Sequence, residues 1–348
     1  RIEYENTYFL ENDFIKVIFD PITAAITSLY DKKAGKELIS ADCPSGYLRY
    51  IEEDTQHGMT AWRVGRYAQV QKLDKVKLLG YGHGGLRQLF IYEAIINNSK
   101  VIVTIELQKN SPALRYKIEA DWQEIGVPGV KIPQLSFYLP FNFECESYKY
   151  DVPFGVKSRR PLDMDVPGNS FAYAECENSG LMVVTASKYG FRGYQNSISV
   201  DLVRSSYDPD PYPEFGKHVV EFAVIPVKGD SNKNLIDTAY DYNHAITPVS
   251  SKIQAGSLPA VSEFAALEND NIVISAVKMP ENGGKSVIIR LYETEGKSGT
   301  AKIAFTYAPS GASIIDINEN VIGTAAIMGK SISFNLNAYS IVNLKISF

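Results

Sequence analysis

Apolar residues recur at every second position through most of this chain. In "FIKVIFD" (14–20) that places Ile15, Val17 and Phe19 on one face, and "AAITSLYD" (24–31) follows across Pro21 as a hairpin partner. The pattern returns in "VIVTIEL" (101–107), "ALRYKIEADW" (113–122), "LSFYLPF" (135–141), "YAECENSGLMVVTAS" (173–187), "ISVDLVRS" (198–205) and "HVVEFAVIP" (218–226). Successive side chains of a strand point to opposite faces, so such a chain folds into sheets that are apolar on one side. The residues are also the β-branched and aromatic types that pleated surfaces accommodate, with 22 tyrosines among them.

At 348 residues the chain is too long for one ordinary core and fits two domains. One stretch breaks the period: in "SNKNLIDTAYDYNHAI" (231–246), Leu235, Ile236, Ala239 and Tyr242 fall at helical spacing behind a Ser231 N-cap. The Ser-, Pro- and Gly-rich stretch 247–262 reads as a linker, and short strands with turn residues follow it as a small β-sandwich. This predicts domains over 1–251 and 252–348, all-β, with one short helix near the junction.

Net charge is −5 with no basic block, which argues against nucleic acid. No apolar run reaches membrane-spanning length and no signal-peptide pattern opens the chain. Residue 1 is Arg, so the expectation is a mature product, a proteolytic piece or a fragment of something larger. Cys43, Cys145 and Cys176 lack metal-ligand spacing and read as buried thiols of a reducing, cytoplasmic compartment. His57, His83, His218 and His244 are scattered, so no zinc site is expected within the chain.

Five stretches carry candidate chemistry. In "DPDPYPEFGKH" (208–218), Pro209, Pro211 and Pro213 stiffen a loop presenting Asp208, Asp210 and Glu214; it is either a solvated corner or a binder of a cation or sugar hydroxyls. In "LDMDVP" (162–167), alternation puts Asp163 and Asp165 on one strand face, where they need water, a proton or a bridging cation. "KSRRP" (157–161) offers Arg159 and Arg160 as forks for a carboxylate or sugar hydroxyl, or as plain surface charge. Trp62 and Tyr67 in "HGMTAWRVGRY" (57–67) are flat faces for sugar stacking or for core and interface packing. "GYGHGG" (80–85) lacks phosphate-loop spacing and reads as a hairpin tip.

Several stretches together resemble one family. "FIKVIFDPITAAITSLYDKKAGKELI" (14–39) resembles the start of the C-terminal β region of glycoside hydrolase family 38 α-mannosidases, where a strand precedes an I-x-S-L-x-D-K-x-x-G-x-E hairpin, matched from Ile26 to Glu37. "MTAWRVGRY", "YDVPFGVKSRRPLDMDVPGNSFAYAE", "LVRSSYDPDPYPEFGKHVVEFAVIP" and "SAVKMPENGGKSVIIRLYE" are similar to later segments in the same order, with Asp165 where the family commonly has Glu. The resemblance implies a galactose-mutarotase-like β-supersandwich followed by a small β-sandwich.

It also implies a non-catalytic part of a retaining α-mannosidase. The catalytic barrel of the same enzyme would hold zinc, the nucleophile and the acid/base, and this chain none of them. The chain would support that barrel and line a cleft for a mannose-containing oligosaccharide, with Arg160, Asp210 and His218 as cleft candidates. The barrel-facing side would expose an apolar patch larger than monomers usually tolerate. A stand-alone carbohydrate-binding module and a mutarotase-like sugar epimerase are the alternatives.

Overall fold

The structure is a computed structural model and describes residues 8–177, 179–253, 255–257 and 259–348. Residues 1–7, residue 178 of the 173–187 stretch and residues 254 and 258 of the expected linker lie outside the described residues. The described residues form strands throughout, with one helix, Asn232–Asn243. The chain is thus all-β, as the alternation predicts.

Contacts divide the chain into two compact units: Arg1–Asp151 with Lys157–Gly229, and Val152–Val156 with Asp230–Phe348. This division falls before the helix, whereas the composition changes after it, near residue 252. The helix therefore groups with the second unit, through bonds from Asn232 Nδ2 to the Thr294 carbonyl (2.8 Å) and from Lys233 N to Glu295 Oε1 (3.0 Å). Ser231 caps it as expected, accepting from Asn234 N at 3.0 Å, and Leu235 and Ala239 are its buried residues.

The first unit holds three antiparallel sheets. The four-stranded one begins with the expected hairpin: Ile15–Phe19 pairs with Ile26–Asp31, and Ile15, Val17 and Phe19 are buried. A nine-stranded sheet is centred on Gly216–Val227, Leu114–Trp122 and Ser99–Gln108. A six-stranded sheet runs in the order Val166–Pro167, Gly190–Gly193, Ser197–Arg204, Ile132–Pro140, Tyr47–Glu53, Tyr67–Lys72.

One face of the six-stranded sheet is core. Leu48, Tyr50, Leu135, Phe137, Leu139, Phe191, Ile198 and Val200 join the hydrophobic cluster that the other two sheets complete. Phe137 packs there against Tyr116 and Phe222, register partners in the nine-stranded sheet whose rings stack at 4.9 Å. By parity, the alternate residues must line the other face. They are Arg49, Ser136, Tyr138, Arg192, Ser199 and Asp201, and this polar face carries the candidate site.

The second unit contains a four-stranded and a five-stranded sheet around their own cluster, including Ile289, Leu291, Ile303, Ile332, Leu344 and Ile346. That is the small sandwich expected at the C-terminal end. The "GYGHGG" stretch lies in the hairpin of Val76–His83 with Arg87–Ile96.

Truncating Phe222 removes a ring shared by two sheets. Phe222→Ala should destabilise the first unit by about 3–5 kcal/mol. Chemical denaturation should show the transition of the first unit moving while that of the second stays in place.

Candidate functional site

The polar face of the six-stranded sheet floors a cavity of about 710 Å³. Strand register sets its floor. Tyr47, Tyr138, Ser199 and Arg192 lie side by side across four strands, and Lys72, Arg49, Ser136 and Asp201 form the adjoining row; of these eight, Tyr138, Ser199, Arg192 and Arg49 line the cavity. His57, Trp62, Val64 and Gly65 wall it from one loop, and Asp163, Met164 and Asp165 from another.

Arg192 organises the second wall. Its Nε donates to Asp165 Oδ1 at 2.8 Å and its Nη1 to Asp163 Oδ1 at 3.0 Å. The guanidinium lies 3.6 Å from the Tyr67 ring centroid, and the Tyr67 hydroxyl donates to Asp165 at 3.1 Å. Of the three states open to Asp163 and Asp165, the structure shows the bridging cation. They lie in an irregular stretch before Val166–Pro167, not on one strand face, because the pairing with Gly190–Gly193 begins only at Val166. Burial, and then the charges of Asp201 and Asp165, push the Tyr67 hydroxyl well above its usual range, so it remains a donor.

A second arginine pins the other wall. Arg204 grips Glu53 through two parallel bonds, Nε to Oε1 at 2.6 Å and Nη2 to Oε2 at 2.8 Å, and the Glu53 side chain is 0% exposed. Arg204 also donates to the carbonyls of Thr60 (2.6 Å) and Arg63 (2.8 Å), while Glu53 accepts from Gly65 N at 2.7 Å. The pair therefore holds both ends of the loop that presents Trp62, which is 72% exposed.

The "DPDPYPEFGKH" stretch joins this loop. Thr60 Oγ1 accepts from Tyr207 N and Asp208 N, both at 3.0 Å, and Asp208 Oδ2 accepts from Met59 N at 2.8 Å. The two segments present Met59, Trp62, Val64, Tyr212 and Phe215 as exposed apolar side chains.

Two side chains of the sheet's polar face carry unpartnered atoms. Arg49 stacks on Tyr138, 3.8 Å from the ring centroid, yet its Nε and Nη2 are screened from solvent without a hydrogen bond. Burial pushes its pKa down. Asp201 Oδ1 is likewise unpartnered, and burial, then the Asp165 charge, push its carboxyl well above the usual range.

Arg160, Asp210 and His218 are not among the residues lining the cavity. Asp210 is exposed and accepts from Tyr212 N at 3.0 Å, closing an Asx turn. His218 opens the strand Gly216–Val227, with Nε2 2.7 Å from the Glu214 carbonyl. Arg160 is exposed just beyond Gly155–Arg159. The residues that do build the cavity floor, Arg49, Tyr138, Arg192 and Ser199, gave no motif. Their only signal is polar residues at alternate positions of otherwise apolar strands.

All three cysteines are free thiols. Among the described residues no group of three or more His, Cys, Asp or Glu is placed to hold a metal, so the zinc that the resemblance implies has no fitting ligand set here.

Comparison with known proteins places this arrangement. The glycosyl hydrolases family 38 C-terminal domain matches residues 10–212, more than half of the chain, and the family 38 C-terminal beta sandwich domain matches residues 271–344. The chain belongs to the C-terminal β region of glycoside hydrolase family 38. Curated relatives of this family 38 region include alpha-mannosidase 2C1 of Mus musculus, 26% identical over 313 residues (84% of this chain, 29% of the relative). Another is an alpha-mannosidase of Saccharomyces cerevisiae, 21% identical over 342 residues (87% of this chain, 31% of the relative). The chain thus spans less than a third of the length of these relatives. A crystal structure of an alpha-mannosidase from Enterococcus faecalis shares the fold at a TM-score of 0.78 and 12% identity, covering 99% of this chain and 42% of that one. No helix among the described residues is long and apolar enough to cross a membrane.

Two outcomes follow from this geometry. Arg204→Met leaves Glu53 buried without its cation, which costs about 3–5 kcal/mol. It should also free the 57–66 loop, read as faster amide exchange at Gly65 in hydrogen-exchange mass spectrometry. The folded protein keeps the Asp201 proton from about pH 4, where an unfolded aspartate loses it, up to its raised folded value. Stability linked to this group therefore falls as pH rises through that window. Asp201→Asn should raise the melting temperature at neutral pH, with the gain vanishing below about pH 4; a gain that does not change with pH would contradict the assignment.

Proposed function

We propose that this chain is the non-catalytic C-terminal part of a retaining α-mannosidase, supporting a catalytic barrel and lining its cleft for mannose-containing oligosaccharides. The observation carrying this reading is that both family 38 C-terminal models match in order along the chain. The α-mannosidases among its relatives supply the activity and the substrate class.

On this reading the nucleophile, the acid/base and a zinc ion belong to the barrel, outside this chain. The loops 57–64 and 208–215 are the cleft-side surface. Tied to each other through Thr60 and Asp208, they carry the exposed Met59, Trp62, Tyr212 and Phe215 that a covering domain would bury. Asp210 and His218 would reach the cleft from the second loop and Arg160 from its own. Three free thiols suit a cytoplasmic setting. The epimerase alternative calls for a Glu base with His acids, and the cavity lining includes one histidine and no glutamate.

The test is hydrolysis of a chromogenic α-mannoside by the purified chain, with and without added zinc. The expected result is no turnover in either case. Zinc-dependent turnover would show that the chain carries its own catalytic centre and would overturn the proposal.

A further inference from the structure

Lys36 and Cys176 stand 140 positions apart in sequence, and the first unit brings them together. Lys36 opens the strand Lys36–Ile39, behind the turn that follows Ile26–Asp31. Cys176 lies just beyond Phe171–Ala174, in the connection to Gly180–Thr185. The two segments belong to the four-stranded and the nine-stranded sheet. A buried bond fastens them, with Ser179 Oγ donating to Asp31 Oδ2 at 2.7 Å. Asp31 Oδ1 accepts from Lys33 N (2.9 Å) and Ala34 N (3.1 Å), which fixes the turn leading to Lys36. On the other side, Lys149 Nζ holds Glu175 at 3.0 Å.

Where the segments meet, Lys36 Nζ donates to Cys176 Sγ at 2.8 Å. That length is ordinary for N–H···O, and sulfur is the larger atom, so the amine sits close against the thiol. Its other contact among the described residues is the Phe143 ring, 5.8 Å to the centroid, and no carboxylate pairs with it. Cys43 and Cys145 differ. Among the described residues no amine meets either sulfur; Cys145 Sγ donates to the Ser147 carbonyl, and burial pushes both thiols up. Lys36 and Cys176 are both half-buried, within reach of a small oxidant.

A thiol oxidised to sulfenic acid is captured by a neighbouring nucleophile or goes on to irreversible acids. Here the neighbour is an amine already held in place by the fold, so little freedom of approach is lost when the two join. We propose that Lys36 and Cys176 are a redox modification site, joined by peroxide through one bridging oxygen into a reversible N–O–S cross-link between the two sheets. The gap between them is near the span of two single bonds meeting at one atom, whereas a direct S–N bond would draw the segments closer. One peroxide oxidises the Cys176 thiol to sulfenic acid and leaves water. A second takes up the two electrons and two hydrogens released as the sulfenic oxygen bonds to the Lys36 nitrogen, and leaves as two waters. A dithiol returns all four electrons, giving back thiol, amine and water. The proposal rests on this pair alone and not on the mannosidase reading.

The test needs no substitution. The purified chain is treated with hydrogen peroxide, digested with trypsin without reductant, and read by mass spectrometry. The expected product is the Lys36 peptide joined to the Cys176 peptide, one oxygen heavier and two hydrogens lighter than the two apart, with no cut after Lys36. Dithiothreitol should separate them again. The oxidised chain should also melt at a higher temperature than the reduced one, because the link closes a loop of 140 residues, and reductant should remove the gain. Lys36→Arg keeps a cation at the sulfur without a nucleophilic amine, so it should form no cross-link and show no gain.

Joined peptides without the added oxygen overturn the bridge. Cys176 carried to sulfinic or sulfonic acid with Lys36 free overturns the pairing, as does a chain that peroxide leaves unchanged. A melting gain that persists in Lys36→Arg overturns the tie between cross-link and stability. Should Lys36→Arg fail to fold, the joined peptides of the unsubstituted chain decide alone.

Discussion

The contact on which the rest of this site depends is the pair of parallel bonds between Arg204 and Glu53, formed across 151 residues of sequence. Arg204 ends one strand and Glu53 ends another, so the pair is anchored by the sheet itself. Its remaining donors and acceptors go to Thr60, Arg63 and Gly65, which converts strand rigidity into loop position. An ion pair this enclosed adds little net stability, because desolvating both charges offsets most of their attraction. What it supplies is geometry: Trp62 stands at the cavity, and Thr60 is placed to receive the backbone of Tyr207 and Asp208.

The sheet beneath explains why a polar cavity sits on a hydrophobic unit. Its core face is nearly all aliphatic and aromatic, so the opposite parity is free to carry charge without weakening the core. Cross-strand register then does what a motif does elsewhere. It sets Arg49 beside Ser136 and Tyr138 beside Ser199, although these residues are far apart in the chain. Cross-strand neighbours lie about 5 Å apart, close enough for their side chains to form one chemical surface.

This division also decides how much was legible beforehand. The period-2 signal located the first hairpin with its buried Ile15, Val17 and Phe19, and Ser231 with the helical spacing of Leu235 and Ala239 located the helix. These are local features, set by residues within one or two turns of each other. The cavity was not legible, because its floor is assembled by strand pairing that brings Tyr47 to Tyr138 and Tyr138 to Ser199, residues with no local signal of their meeting. Asp163 and Asp165 were singled out, but their partner Arg192 was not, since nothing in "GFRGY" announces it. Asp210 and His218, singled out for their loop, bond within that loop instead.

The three arginines of this sheet show how the same side chain serves different ends according to what it faces. Arg204 and Arg192 meet carboxylates and become part of the frame. Arg49, two strands beyond Arg204 in the sheet, meets only an aromatic ring. Replacing it with an uncharged residue would relieve a desolvation cost that folding alone has no reason to bear. Asp201, one strand over from Ser136 in the same row, is strained in the opposite sense, a carboxyl kept protonated by its surroundings. A cation and a carboxyl with unpartnered atoms thus share one sheet face with arginines that are fully paired, and of the two only Arg49 lines the cavity.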